Sequence, residues 1–287
     1  KRVKQIKGPV ILHCTTEKGK GLGAAEKDPQ KYHGVKPSFV KQDPGEGDPV
    51  PAKVEAKPVA NPTFTDAFAQ AVIETAKEDH RVVAITAAMP AGTGLSKFET
   101  EFPDRFFDVG ICEQHAVTFA AGLAIAGMRP VAAIYSTFLQ RGYDQVIHDV
   151  CIQNLPVVFA IDRAGLVGED SPTQNGTFDL SFLRAVPNLV LGAPRDSIDT
   201  RLMLRWALQQ AGPVAVRYAR SEAPIIGESA ERSIEKGEIL REGRDAVVLT
   251  VGPCAAAALK AADRLAEEGI SVAVADARWI KPLDGAL

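Results

Sequence analysis

The sequence predicts an α/β protein built from parallel sheets with helices on both faces. Short, wholly apolar segments such as residues 82–86 and 157–161 alternate with segments of helical period. Strands that are apolar on both faces are typical of buried parallel sheets. The 287 residues are 46% hydrophobic and 24% charged, a composition that provides for a sizeable core.

The first part of the chain is predicted to end one domain and lead into the next. Residues 9–14 predict a strand that follows the tail of a helix, so we expect residues 1–40 to be the end of a longer N-terminal domain. Residues 41–61 predict a linker, because they are rich in Pro, Gly and charge without a hydrophobic period.

Residues 62–226 predict a middle domain in which helices and strands take turns. Its helices are predicted at residues 65–77, 95–102, from 113 onward, 138–152, near 180 and at 200–210, and its strands at 82–86, 106–109, 131–134, 157–161 and 189–191. After a charged break, a strand at 246–252, a helix at 255–268 and a strand at 272–275 predict that residues 227–287 start a third, truncated domain.

Charge, hydropathy and cysteines narrow the classes of function. The net charge of -3 argues against binding to nucleic acid or an anionic membrane. No segment approaches the roughly 18–20 continuous apolar residues of a membrane span. Cys14, Cys112, Cys151 and Cys254 have no CxxC or metal-site spacing, so we expect reduced, mostly buried thiols, no metal site and a cytoplasmic location.

Glu113 is the most informative single residue, because it lies where a strand ending at Gly110 gives way to an apolar helix. Such a carboxyl is predicted to be partly desolvated and to take a proton or a single strong hydrogen-bond partner, as in enzymes that manage protons. The spacing fits equally well a first-turn glutamate that the helix dipole favours.

Polar and aromatic residues follow the other predicted strands. Ligands bind at the carboxyl ends of parallel strands, so these loops are predicted to meet at one site. Tyr135 and Phe138 are, on spacing alone, more typical of core or rim aromatics. Arg163 next to Asp162 also fits a local ion pair worth less than about 1 kcal/mol.

Arginines and absent motifs indicate the kind of ligand. Either Arg217 or Arg220 could bind an anion, since the planar guanidinium suits phosphate. The sequence has no Walker loop, GxGxxG, GxSxG or HExxH motif. A semi-buried carboxylate among aromatics and arginines therefore predicts an organic cofactor.

Several segments together carry a family resemblance. They are residues 8–10, 16–21, 25–29, 32–35, 102–108, 113–124, 134–149 and 161–168. They resemble the 1-deoxy-D-xylulose-5-phosphate synthases, thiamine-diphosphate enzymes of the transketolase superfamily. The resemblance implies a transketolase-like pyrimidine-binding domain flanked by partial domains, in a cytoplasmic homodimer. The implied reaction condenses pyruvate with glyceraldehyde 3-phosphate and releases carbon dioxide, the first step of the non-mevalonate isoprenoid pathway.

The resemblance also implies roles for individual residues. Glu113 would hydrogen-bond the aminopyrimidine ring of the cofactor and promote the tautomer that removes the thiazolium proton. The implied cofactor-binding residues are Glu113, Phe138, Ile111, Met89 and Arg141. The implied catalytic residues are Glu113, His33 and Arg163. The implied substrate-binding residues, around the acceptor and its phosphate, are Tyr135, Arg163, Asp170, Gln174 and Arg220.

The chain departs from the family pattern at two points. Gln174 stands where the family has the histidine of an Asp-Gly-x-Thr-His motif, and an amide can hydrogen-bond but cannot move protons. The Gly-Asp-Gly motif that holds the diphosphate and Mg²⁺ is absent. We therefore expect an N-terminal portion to supply the metal ligands, and this chain alone to be inactive.

Other functions remain open. A pyruvate dehydrogenase beta subunit or a split transketolase subunit would share the glutamate and the sheet, although residues 32–35 and 135–149 argue against both. A non-catalytic assembly chain would explain Gln174 and the missing metal motif.

Overall fold

The computed structural model describes residues 3–29, 32, 61–168, 172–227 and 232–287. They belong to two units, residues 1–59 and 60–287. The first unit contains a 3₁₀ turn (Val3–Gln5) and the short helix α1 (Gly23–Lys27). The strand predicted at residues 9–14 is wrong, because these residues have no regular structure. Ile11 is 97% exposed, and no strand among the described residues of this unit could pair with the segment.

The second unit is organised around a seven-stranded sheet. Its strands are β1 (Val82–Thr86), β2 (Phe106–Asp108), β3 (Arg129–Tyr135), β4 (Val158–Asp162), β5 (Val190–Gly192), β6 (Val214–Arg217) and β10 (Trp279–Lys281). They lie in the order β10-β5-β6-β4-β3-β1-β2. Neighbouring strands are parallel except for β10, which pairs antiparallel with β5. The predicted α/β class is confirmed, and β10 adds an antiparallel edge.

Helices cover both faces of this sheet. The helices of the unit are α2 (Phe64–Glu78), α3 (Ser96–Glu101), α4 (Glu113–Ile125), α5 (Ser136–Leu139), α6 (Tyr143–Gln145), α7 (Asp179–Arg184), α8 (Ser197–Gln209) and α9 (Cys254–Glu267). Alternate residues along β3 enter two apolar clusters. Val131 and Ala133 pack with α2 and α8, whereas Ala132 and Ile134 pack with α4. Since successive strand side chains point to opposite faces, the core has two layers.

The helix predicted at residues 138–152 is broken into pieces. A 3₁₀ turn (Gln140–Gly142) follows α5, and a π-helical segment (Val146–Cys151) follows α6. At Gly142 the chain approaches α4 so closely that a Cβ would lie 3.2 Å from Val117 and 3.3 Å from the carbonyl oxygen of Glu113. Packing against α4 therefore interrupts a segment whose hydrophobic period is helical throughout.

The C-terminal part of the unit has a small sheet of its own. Its strands are β7 (Glu238–Arg241), β8 (Ala246–Thr250) and β9 (Val272–Asp276), in the order β7-β9-β8. β8 and β9 are parallel and connected by α9, as the predicted βαβ unit requires. β7 is antiparallel to β9, and the chain then continues into β10 of the large sheet.

A cluster of charges, buried except for the partly exposed Glu238, lies between β5 and the C-terminal strands, and we call it the arginine clasp. It consists of Arg195, Asp196, Asp199, Arg232, Glu238, Asp276 and Arg278. The guanidinium of Arg278 donates to Asp199 at 3.2 Å and to Glu238 at 3.0 Å. These bonds connect the start of α8 to the small sheet.

The cysteine and membrane expectations have different outcomes. Cys151 is buried, but Cys14, Cys112 and Cys254 are exposed, so the prediction of mostly buried thiols is wrong. These three lie in a loop or at helix starts rather than inside the core. Among the described residues, no helix has the length and apolar content needed to span a bilayer.

Candidate functional site

The loops that follow the central parallel strands meet at one edge of the large sheet. β6, β4, β3 and β1 are neighbours in the sheet and run in the same direction. Their carboxyl ends therefore present Met89, Tyr135, Arg163 and Arg220 along one edge, where open α/β sheets bind ligands.

A cavity of about 310 Å³ opens at this edge. Its lining residues are Thr63, Thr65, Gly92, Arg163, Arg220, Ser221 and Glu222. Thr63 caps α2 and forms a capping box with Asp66, so the positive end of the helix dipole is directed toward the same cavity. The two arginines and the helix start together favour an anionic ligand.

Arg163 is fixed by its backbone and by its side chain. Its φ of 59° lies in the left-handed region, which is costly for a residue with a side chain. Its guanidinium donates to the carbonyl oxygen of Gly92 at 2.8 Å and stacks 3.7 Å above the ring of Tyr135. The arginine is only 8% exposed, so its position on the cavity wall is defined.

Asp162 precedes this arginine in the sequence, is the last residue of β4 and is fully buried. One carboxylate oxygen accepts the backbone N–H of Arg163 at 2.6 Å, and the other accepts the hydroxyl of Thr65 at 2.9 Å. Burial raises the pKa of Asp162 to about 6, although the charge of Arg163 and the Thr65 hydroxyl oppose the shift. The local ion pair that the spacing allowed is present at 3.5 Å, and it is a buried part of the site.

Glu113 is the first residue of α4 and only 2% exposed. Its carboxylate accepts one hydrogen bond from the guanidinium of Arg141 at 2.7 Å. Both interpretations of the sequence hold, since the residue is a first-turn glutamate and also a desolvated carboxyl with one strong partner. Arg141 lies 5.2 Å from the ring of Phe138, which stacks on Tyr135 at 5.5 Å.

The structure separates the other sequence-derived candidates. Met89 is buried in the same apolar cluster as Tyr135, and Phe138 packs against that cluster. Ile111 is 80% exposed and belongs to none of the apolar clusters among the described residues. The described part of the chain therefore does not form the pocket that Ile111 was predicted to line. Gln174 is half-buried in a 3₁₀ turn (Pro172–Gln174).

Two further candidates, His33 and Asp170, lie outside the described residues.

The structure distinguishes Arg217, the last residue of β6, from Arg220, which follows that strand. Arg217 donates to Asp179 at 2.8 Å, whereas Arg220 lines the cavity.

Sequence reasoning missed the polar residues that support the cavity wall. Asp162 ends a strand whose other residues are all apolar and buried, and this isolated charge was a usable signal. Gly92 was less visible, because the sequence around it is typical of a plain turn. A Cβ at Gly92 would lie 1.8 Å from the hydroxyl of Tyr135, so this position requires glycine for close packing.

Metal-binding chemistry is not assembled in the described part of the chain. No group of three or more His, Cys, Asp or Glu side chains there could hold a metal ion.

Comparisons with known proteins identify relatives of the chain. Residues 60–225 match the model of the transketolase pyrimidine-binding domain, and residues 235–287 match that of the transketolase C-terminal domain. The 1-deoxy-D-xylulose-5-phosphate synthase of Aquifex aeolicus is 54% identical over 98% of this chain, and that of Desulforudis audaxviator is 51% identical over 99%. The chain spans 44% of the length of each of these relatives.

Solved structures show the same fold. A split-gene transketolase, described as an inactive beta4 tetramer, has a TM-score of 0.71 and 31% identity over 78% of this chain and 74% of its own. A transketolase variant from Pichia stipitis has a TM-score of 0.70 at 17% identity, over 77% of this chain and 35% of its own.

Proposed function

Since the chain belongs to the transketolase family, we propose that it is the C-terminal portion of a 1-deoxy-D-xylulose-5-phosphate synthase. In this proposal it takes part in the thiamine-diphosphate-dependent condensation of pyruvate with glyceraldehyde 3-phosphate. The identity of 51–54% with named synthases over nearly the whole chain supports the choice within the family. The observation that carries the chemistry is the buried carboxyl of Glu113 at the start of α4.

The residues around Glu113 fit the pyrimidine half of the cofactor. A carboxyl that is 2% exposed can hold a proton against a ring nitrogen, and the half-buried Phe138 offers an aromatic face nearby. When bound, thiamine diphosphate supplies a nucleophilic thiazolium carbon. Glu113 would keep the proton at the pyrimidine nitrogen, and Arg141 would orient the carboxyl through their 2.7 Å bond.

The diphosphate and Mg²⁺ require other ligands. The described residues contain no cluster of metal-ligating side chains, so the proposal assigns this task to an N-terminal portion of the same enzyme. A homodimer and a cytoplasmic location belong to the same proposal.

The cavity beside Tyr135 fits the acceptor substrate. Its two arginines, Arg163 and Arg220, suit the phosphate of glyceraldehyde 3-phosphate. His33, Asp170 and Gln174 are assigned to the same substrate by the family resemblance.

A second candidate function is the beta half of a two-chain transketolase. The likeness to the split-gene transketolase, which covers about three quarters of both chains, favours it. A transketolase moves a two-carbon unit between sugars and releases no carbon dioxide, so the donor substrate separates the two candidates.

The test combines the chain with a matching N-terminal portion, thiamine diphosphate, Mg²⁺, pyruvate and glyceraldehyde 3-phosphate. Carbon dioxide release and formation of 1-deoxy-D-xylulose 5-phosphate are measured together. We expect Glu113→Gln to lower turnover at least about 100-fold, because the amide cannot hold the proton that the carboxyl manages.

Glu99→Gln is the matched control, because Glu99 is an exposed first-turn glutamate of another helix, α3. It should leave turnover unchanged. Turnover of a ketose donor without carbon dioxide release would establish the transketolase instead. If neither donor were turned over, the remaining alternative would be a non-catalytic assembly chain. Equal turnover of Glu113→Gln and the unmodified chain would refute the role of Glu113.

A further inference from the structure

We propose that Asp162 is a positioning residue that holds Arg163 on the cavity wall and thereby sets the preference of the site for a phosphorylated ligand. This inference deepens the proposed function and depends on it for the identity of the substrate. Asp162 itself lines no part of the cavity, whereas Arg163 and Thr65, its two hydrogen-bond partners, both do.

The backbone of Arg163 needs an acceptor at this position. The carbonyl oxygen of Ile161 and the N–H of Ala164 both bond to the backbone of Tyr218, so β4 is still paired on either side of Arg163. Arg163 itself turns into the left-handed region. Its N–H is met by the Asp162 carboxylate at 2.6 Å, and this bond offsets part of the cost of that conformation.

Three groups of the described residues direct the side chain of Arg163. Its guanidinium lies 3.5 Å from the Asp162 carboxylate, donates to Gly92 at 2.8 Å and stacks on Tyr135 at 3.7 Å. Gly92 lies in close contact with the Tyr135 hydroxyl. The loop that contains Gly92 therefore cannot shift toward Tyr135 to keep its hydrogen bond if the guanidinium of Arg163 is displaced. Among the described residues that contact this guanidinium, Asp162 contributes the carboxylate, Gly92 a carbonyl group and Tyr135 an aromatic ring.

The second oxygen of Asp162 links Arg163 to the opposite wall. It accepts the hydroxyl of Thr65 at 2.9 Å, and Thr65 lies in the first turn of α2. One buried carboxylate thus bonds to a guanidinium and to a helix start, two of the features of the cavity that attract an anion. A carboxylate suits this task because both of its oxygens accept hydrogen bonds.

Asp162→Asn tests the proposal with little change in volume. The amide keeps one acceptor but turns an NH₂ group toward a second donor, so one of the two bonds is lost or reversed. We expect the affinity of the chain for inorganic phosphate to fall about tenfold, because a charge-assisted hydrogen bond that holds Arg163 in place is lost. The shifts of arginine side-chain NMR resonances during a phosphate titration report this affinity.

Asp179→Asn is the matched control. Asp179 is 1% exposed and accepts a hydrogen bond from Arg217 at 2.8 Å, but neither residue lines the cavity. We expect phosphate affinity to be unchanged in this variant. Thr65→Ser and Thr65→Val form a second pair that avoids replacing the buried charge, and we expect serine to keep the affinity and valine to lower it.

A substrate comparison separates the inference from the proposed function. With the N-terminal portion supplied, Asp162→Asn should raise KM for glyceraldehyde 3-phosphate but leave KM for pyruvate and for unphosphorylated glyceraldehyde unchanged. Equal phosphate affinity in Asp162→Asn and the unmodified chain would overturn the inference, and so would the absence of phosphate binding. If Asp162→Asn weakened phosphate binding but the unmodified chain formed no 1-deoxy-D-xylulose 5-phosphate, the result would support the inference. It would refute only the proposed function.

Discussion

The arginine clasp and the cavity edge both bury arginines against carboxylates, but they arrange these charges differently. In the clasp, Arg195 is within 4 Å of four carboxylates and Arg278 within 4 Å of three, and both side chains are at most 1% exposed. At the edge of the large sheet, Arg163 pairs with Asp162 and Arg141 with Glu113, and the Arg141 side chain is 52% exposed. The clasp uses its cations for internal pairing, whereas the edge places Arg163 on a cavity wall and leaves Arg141 half exposed.

This difference has a physical reason. Charges removed from water are tolerated only when they are paired and hydrogen-bonded, so a fully buried cluster needs several mutual contacts. A binding site must also present donors and charge to its ligand, so its cations lie along a cavity or at the surface. We therefore expect substitutions in the clasp to act on folding and those at the edge to act on binding and turnover.

The largest effect on stability is expected for Arg278→Met. The side chain is fully buried, donates to Asp199 and Glu238, and donates also to the carbonyl oxygens of Ser233 and Lys236. Methionine would leave these acceptors without their cation, and breaking a buried pair in this way costs about 3–5 kcal/mol. Urea unfolding followed by circular dichroism measures the loss.

Arg264→Met provides the reference for that measurement, because Arg264 is an exposed arginine in the last turn of α9. Its free energy of unfolding should stay within about 0.5 kcal/mol of the unmodified chain. If Arg278→Met were equally mild, the clasp would not stabilise the fold.

A smaller effect is expected for Arg141→Met at the edge. Glu113 is buried and would lose its one strong partner, but the dipole of α4 favours a negative charge at its first residue. Because Arg141 is half exposed, we expect a loss of about 1–2 kcal/mol in the same unfolding assay. A loss larger than that of Arg278→Met would reverse the contrast between the two regions.

The two regions also differ in how far sequence could predict them. The strand at residues 82–86 was predicted with its observed bounds, because its first four residues form an apolar run, as expected for a strand that is buried on both faces. The edge loops follow such strands, so their residues could be found by position, and family resemblance supplied their roles. Asp162 was seen beside Arg163, but its burial depends on packing that spacing does not encode.

The clasp could not be predicted in this way. Its seven residues come from separate segments between Arg195 and Arg278 and share no spacing. The same limit explains the interrupted helix after Phe138, where contact with α4 at Gly142 overrides the hydrophobic period. It also explains the missing strand at residues 9–14, since a strand forms only where a neighbour pairs with it.

An effect similar in size to that of Arg141→Met is expected in the pH dependence of the clasp. Burial, together with the neighbouring charge of Asp199, raises the pKa of Asp276 from 3.8 to about 6, while Arg278 and Arg195 oppose the shift. A carboxyl with a raised pKa in the folded state contributes most stability below its unfolded pKa. That contribution is lost as the pH rises through about 6.

Asp276→Asn removes this titration, because the amide stays neutral. The free energy of unfolding of the unmodified chain, relative to that of the variant, should therefore fall by about 1 kcal/mol or more between pH 4 and 6.5. Unfolding by urea at a series of pH values measures the difference. A constant difference across this range would mean that Asp276 is charged throughout, and the arginines would then outweigh burial even in the most enclosed part of the clasp.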